Sequence, residues 1–178
     1  MLGRGGAGSI VVLVILVLIL LFGDEATEPG GTGAVDVPAP TSAGESAPGV
    51  EVLRVVDGDT IEVDLEGTEE DVRYIGIDSP ETVKPDSPVE CFGPQASERN
   101  HELVEHRTVT LEFDRERRDV YGRLLAYVFV GDQFVNAELI EGGFARTLEI
   151  EPNTSRAGEL SLLEAEAGAA GRGLWEAC

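Results

Sequence analysis

A small β-barrel of five short strands with three helices packed on it, an α+β arrangement, is the fold class this sequence predicts for residues 49–178. Three observations carry the prediction. Five runs alternate apolar and polar residues at the two-residue period of half-buried strands. A segment with helical spacing interrupts them after the third run, and two more follow the fifth. Gly, Asp and Pro cluster between the runs, as turns require.

Taken in order, "VEVLRVV" and "TIEVDLE" flank "DGD", Asp57 to Asp59, and read as a hairpin. "DVRYIGI" is the third strand and ends at "DSPE". A loop with three prolines and Cys91 leads to Gly93-Pro94, which opens a helix through "GPQASERNHELVEH" with Ala96, Leu103 and Val104 on its apolar side. "RTVTLEF" and "RLLAYVFV" are the fourth and fifth strands. A short helix in "FVNAELIEGGFA" stops at Gly142-Gly143. Leu160, Leu163 and Ala167 mark the last helix. Five strands with a helix inserted after the third suggest a barrel of OB type, although alternation alone also permits an open sheet.

The first 48 residues have a different character. Residues 10–22, "IVVLVILVLILLF", are uninterrupted apolar, with Arg4 before them and Asp24, Glu25 and Glu28 after. Thirteen residues reach about 20 Å as a helix, short of a ~30 Å hydrocarbon core. Residues 1–23 therefore read as a signal peptide or short membrane anchor, with the main body outside the cell, secreted or tethered to the outer face of the membrane. Residues 24–48, rich in Gly, Pro, Ala, Ser and Thr, read as a flexible linker.

The chain carries 34 Asp and Glu against 13 Lys and Arg, a formal charge of −21, and Lys84 is its single lysine. Removing the five acids and one base before Gly49 still leaves −17, so the acidity belongs to the domain. Such a surface suits concentrated salt, where the screening length falls to ~3 Å. It argues against general binding of polyanions, so any phosphate contact must come from a few placed arginines or a bound cation. The two cysteines, Cys91 and Cys178, are candidates for a disulfide if the protein is exported, worth roughly 4 kcal/mol on a chain-entropy model; two unpaired thiols are the alternative.

Asp57, Asp59, Asp78 and Glu81 form two acidic clusters that can meet at one barrel end if the hairpin and third strand are neighbours. Oxygen donors favour Ca²⁺ or Mg²⁺ over zinc. His101 and His106 would not share a helix face and read as surface residues. Arg73 and Arg123 stand in strand contexts, and guanidiniums beside a carboxylate-held metal suit a phosphodiester. Each arginine alone is more simply a surface ion pair.

In order, "VVDGDTIEV", "RYIGIDSPE", "CFGPQASE", "DVYGRLLAYVFV", "NAELIEGGFA" and "GLW" are specific as a set. With them the chain resembles the thermonuclease family of staphylococcal nuclease-like domains from about Val50 to Trp175. The resemblance implies a Ca²⁺-dependent phosphodiesterase on an OB-like barrel, with DNA and RNA as substrates and 3′-phosphate ends as products. By motif position, Asp59 and Asp78 match the calcium-binding carboxylates and Ser79 the residue offering its backbone carbonyl. Asp57 matches a nearby acid, and Glu81 the general base for the attacking water. Arg73 and Arg123 match the phosphate-binding arginines, and Tyr121 a tyrosine of the nucleotide pocket.

Two departures bear on substrate affinity. Leu148 and Ile150 in "TLEIEPNT" stand where the family has pocket tyrosines, and Val120 stands where it has a lysine. A non-catalytic module that binds nucleic acid or peptide is the alternative reading, and such a module would be expected to lack one of Asp59, Arg73, Asp78, Glu81 and Arg123. A monomer is the default, for want of any association motif.

Overall fold

The computed structural model describes residues 44–82 and 88–178. The leader and most of the linker, and with them the proposed tether through residues 10–22, lie outside the described residues. Among the described residues no helix is long and apolar enough to cross a membrane.

Among the described residues eight strands form: β1 (Ser46–Val55), β2 (Thr60–Leu65), β3 (Thr68–Tyr74), β4 (Gly76–Asp78), β5 (Thr108–Glu112), β6 (Leu124–Val130), β7 (Gln133–Phe134) and β8 (Arg146–Leu148). The main sheet runs β3-β2-β1-β5-β6-β7, and a parallel pairing of β3 with β6 closes the five long strands into a barrel. Alternation sets its inside. Val50, Val52, Ile61, Val63, Val72, Val109, Leu111, Leu124 and Val128 point inward, and all are buried.

Among the described residues four helices pack around this barrel: α1 (Gly93–Val104), α2 (Val135–Glu141), α3 (Ala157–Ala169) and the short α4 (Leu174–Ala177). Ala96, Asn100, Leu103 and Val104 make the buried stripe of α1. α4, β7 and β8 are additions to the five strands and three helices expected from sequence. Each is too short to show a period.

The first strand begins at Ser46, three residues inside the segment assigned to the linker. Ser46 and Ala47 pair with Glu112 and Leu111, so β5 supplies a pairing that these small residues do not announce. Pro48, which lacks an N–H, falls where the register shifts between Ala47 and Val50.

Three turns position the site. Glu66 and Gly67 both have positive φ, at 56° and 83°, and make the tight β2–β3 hairpin, with Gly67 N–H donating to Asp64 Oδ1 at 2.7 Å. The "DGD" turn is different, because Gly58 does not use a positive φ. A Cβ on Gly58 would lie 2.7 Å from Ser79 Cβ and 3.0 Å from Ala96 Cβ. Its small size lets the turn press onto the Ser79 loop and α1. At Gly76, φ is 79° and the third strand breaks. β4 then leaves the barrel to pair with β8, Asp78 opposite Arg146. Asn136 fixes this break by donating from Nδ2 to Ile75 C=O at 2.8 Å while its Oδ1 accepts from Val128 N–H at 3.0 Å.

Candidate active site

One cleft of about 500 Å³ at the end of the barrel is lined by Asp57, Asp59, Thr60, Arg73, Asp78, Ser79, Glu81, Tyr121 and Arg123. Asp57 and Asp59 come from the β1–β2 turn, Arg73 from β3, Asp78 from the end of β4, and Arg123 from just before β6. All the charged residues singled out from sequence are therefore in one place.

Arg73 ties the two acidic clusters together. Its Nη1 is 3.1 Å from Asp59 Oδ2, and its Nη2 donates to Asp78 Oδ1 at 2.8 Å. Nη1 also donates to the Ile77 carbonyl at 2.8 Å, which aims the largely buried guanidinium across the barrel end. Carboxylates from two loops thus share one planar cation. The Ser79 backbone N–H donates to Asp59 Oδ2 at 2.7 Å and links the loops directly. Thr60 Oγ1 donates to Asp59 Oδ1 at 3.0 Å.

The acids press on one another electrostatically. Burial, and then the charge of Asp59, push the Asp57 carboxyl up to about 6, although Asp57 Oδ1 accepts the Asp59 N–H at 3.0 Å. Burial also raises Asp78. Arg73 opposes that shift, while Asp59, Glu90 and Glu81 add to it. Such a set is suited to a hard divalent cation, which would relieve this repulsion through oxygen donors. Among the described residues no three Asp, Glu, His or Cys side chains converge as a ready-made cage. An ion held here would take Asp59 and Asp78 and complete its shell with backbone oxygen and water.

Arg123 is held from behind. Its Nε donates to Asp119 Oδ2 at 2.7 Å, and Asp119 Oδ1 accepts the backbone N–H groups of Tyr121 and Arg123. Burial works against the Asp119 charge, but these bonds outweigh it and hold its carboxyl below the usual range. Among the described hydrogen bonds none engages the terminal nitrogens of Arg123, so they are available to a ligand in the cleft. The Arg123 guanidinium lies 5.6 Å from the centroid of the exposed Tyr121 ring. A second cleft of about 330 Å³ continues from here, sharing Arg73, Tyr121 and Arg123 and walled by Val120, Leu148 and Ile150. All three aliphatic residues are exposed.

Several positioning residues escape a reading of the sequence. Asn100 donates from Nδ2 to the Asp57 carbonyl at 2.8 Å and accepts from the buried Tyr74 hydroxyl at 3.0 Å. Its signal is a polar residue on the apolar stripe of a helix. Asn136 is the same case on α2, beside buried Leu139 and Ile140. Asp119 has a weaker signal, four residues before Arg123 in a turn sequence. The disulfide candidates are joined, Cys91 to Cys178, with Cα atoms 6.0 Å apart. His101 pairs with Glu105 on the helix surface, and neither it nor His106 lines the acidic cleft.

A closed five-stranded barrel with acids and guanidiniums gathered in a cleft at one end defines an OB-type protein. The family model described as "Staphylococcal nuclease homologue" matches residues 71–177. The thermonuclease of Staphylococcus intermedius is 41% identical over 145 residues, 82% of this chain and 82% of its own. That of Staphylococcus hyicus is 40% identical over 144 residues, 81% of this chain and 80% of its own. Endonuclease YncB of Bacillus subtilis (strain 168) is 46% identical over 124 residues, 68% of this chain and 59% of its own. The chain belongs to the staphylococcal nuclease homologue family.

Proposed function

We propose that this protein is a nuclease working outside the cell, hydrolysing phosphodiester bonds of DNA and RNA with Ca²⁺ and leaving 3′-phosphate ends. Its relatives' names support the nuclease reading. The observation that supports metal-assisted phosphodiester chemistry is the Arg73 guanidinium, in contact with both Asp59 and Asp78 at the mouth of a cleft that also holds Glu81 and Arg123.

Water is a poor nucleophile until a base takes its proton. Glu81 is assigned that role, a contribution of typically about 10²–10⁴-fold. The new bond joins the water oxygen to phosphorus, the bond to the 5′-oxygen breaks, and that oxygen leaves with a proton. Arg123 can hold two phosphate oxygens through its terminal nitrogens, and Arg73 adds charge where negative charge builds up. Ca²⁺, when bound by Asp59, Asp78 and the Ser79 carbonyl, supplies Lewis-acid polarisation of a phosphate oxygen. Asp57 supports the Asp59 turn from behind. Tyr121 offers a ring to the adjoining nucleotide, with Leu148 and Ile150 giving apolar contact in place of aromatic stacking. A module that had lost catalysis would be expected to lose one of the five charged groups, and this chain keeps all of them.

The test incubates the purified protein with single-stranded DNA in molar salt, with Ca²⁺ or with chelator. Cutting should require Ca²⁺, and Glu81→Gln should lower turnover by at least about 10²-fold while the fold is retained. Chelator-resistant cutting, or no cutting at any salt and metal concentration, overturns the reading.

A further inference from the structure

Glu81 follows β4 by three residues and belongs to no strand or helix. Among the described residues, Glu90 holds both its backbone N–H and its carbonyl. The Glu90 N–H donates to the Glu81 carbonyl at 2.9 Å, and the Glu81 N–H donates to Glu90 Oε2 at 3.2 Å. The Glu90 carbonyl accepts from Gly93 N–H at 3.1 Å, at the start of α1. A Cβ on Gly93 would stand 3.0 Å from the Glu81 oxygen and 3.1 Å from the Pro80 oxygen, so the base-bearing segment lies directly on that helix start.

The next residue after Glu90 is Cys91, joined to Cys178. Cys178 is itself anchored, because its N–H donates to Leu174 C=O at 3.1 Å, and the N–H of buried Leu174 donates to Gly143 C=O at 2.9 Å. A continuous tether therefore runs from Glu81 through Glu90 and the disulfide to the barrel-packed end of α2. The acids assigned to the ion have other supports: the β1–β2 turn for Asp59, and the β4–β8 ladder for Asp78.

We propose that Glu90 and the Cys91–Cys178 disulfide are positioning elements for Glu81, holding the general base at the rim of the cleft independently of the ion-binding acids. The inference rests on the assignment of Glu81 made above. A base displaced by about 1 Å can cost up to ~10²-fold in rate, so the tether should act on turnover. Any change in ion affinity should come only from the Glu90 charge, which bears on Asp78, and be shared by every variant that removes that charge.

The test uses the full chain carrying Glu90→Ala, Glu90→Gln or the Cys91→Ser/Cys178→Ser pair, each also combined with Glu81→Gln. Steady-state kinetics on a single-stranded oligonucleotide, Ca²⁺ titration calorimetry and circular dichroism are read at a temperature where every variant is folded. Glu90→Ala should lower kcat about tenfold, on the scale of misplacement effects, with KM within about twofold and Ca²⁺ affinity matching that of Glu90→Gln, which removes the same charge. Glu90→Gln, which keeps an acceptor oxygen, should recover most of the loss. The serine pair should lose kcat in the same way. Combined with Glu81→Gln, both penalties should disappear from the residual turnover, since a positioning effect needs the group it positions. The inference is overturned by an unimpaired Glu90→Ala beside a crippled Glu81→Gln, or by a penalty that persists without the Glu81 carboxylate. Full turnover by Glu81→Gln alone instead overturns the base assignment, and this inference with it.

Discussion

At the residue scale, the site is a set of carboxylates kept close against their own repulsion. Asp57 shows the cost most directly. Its folded-state value of about 6 stands above the ordinary aspartate value of 3.8 because of burial and then the Asp59 charge. The folded protein therefore holds this proton more tightly than the unfolded chain does. The associated stability is complete below about pH 4 and is lost as pH rises through about 6. A shift of that size corresponds to at most about 3 kcal/mol, less whatever solvent screening removes from a group that is not fully buried. In chelator, thermal unfolding should thus occur at lower temperature at pH 7.5 than at pH 5. Asp57→Asn, whose side-chain oxygen can still accept the Asp59 N–H, should flatten that dependence. Equal melting temperatures for parent and variant across this range would remove the argument. The charged residues of the cleft were legible because their short motifs occur together in order: Asp59 in "DGD", Asp78 and Glu81 in "DSPE", Arg73 and Arg123 in strand contexts that alone would read as surface ion pairs. Asn100, Asn136, Asp119 and Glu90 were not, because they act through backbone groups, some of them dozens of residues away. No local pattern records such a partnership.

At the scale of elements, the site depends on how three short connections are bent. The sequence suggests that Gly58 serves a turn of positive φ, but that chemistry belongs to Glu66-Gly67, and Gly58 serves close packing. A glycine in a turn announces conformational freedom and says nothing of what lies against it. In the same way "DVRYIGI" reads as one strand, since its alternation continues through Gly76. Only the positive φ there, with Asn136 pinning Ile75, reveals the break that turns Asp78 toward Asp59. Gly58→Ala should push the Ser79 loop outward and cost about 1–3 kcal/mol, as overpacking does. Because that loop links the two acid clusters through the Ser79 N–H, Ca²⁺ affinity should fall as well. Calorimetric Ca²⁺ titration and denaturant unfolding of the same variant check both halves. An alanine variant that binds Ca²⁺ like the parent would mean that the turn and loop do not need their close approach.

For the whole molecule, charge and closure matter most. On the outer face of the β1–β2–β3 meander, Glu51 lies opposite Asp64, and Asp64 opposite Glu69, three exposed acids in a row across three strands. Like charges directly opposite destabilise a sheet, and salt screens them. Melting temperature should therefore climb between 0.1 M and 2 M NaCl. Glu69→Lys should stabilise the protein by about 0.5–1 kcal/mol in dilute salt, with the gain shrinking as salt is added. A gain that is the same at both salt concentrations would point to a cause other than charge. The seam that closes the barrel has a consequence of another kind. Val72 faces Leu124 and Arg73 faces Leu125 across the parallel β3–β6 pairing, so the join that closes the cylinder also brings Arg73 beside the strand that Arg123 leads. Those arginines are 50 positions apart in the chain, and pairings of such long range are slow to form. A chain in which β3 and β6 have not met would therefore hold its two cleft arginines apart, and should leave any nucleic acid it meets uncut.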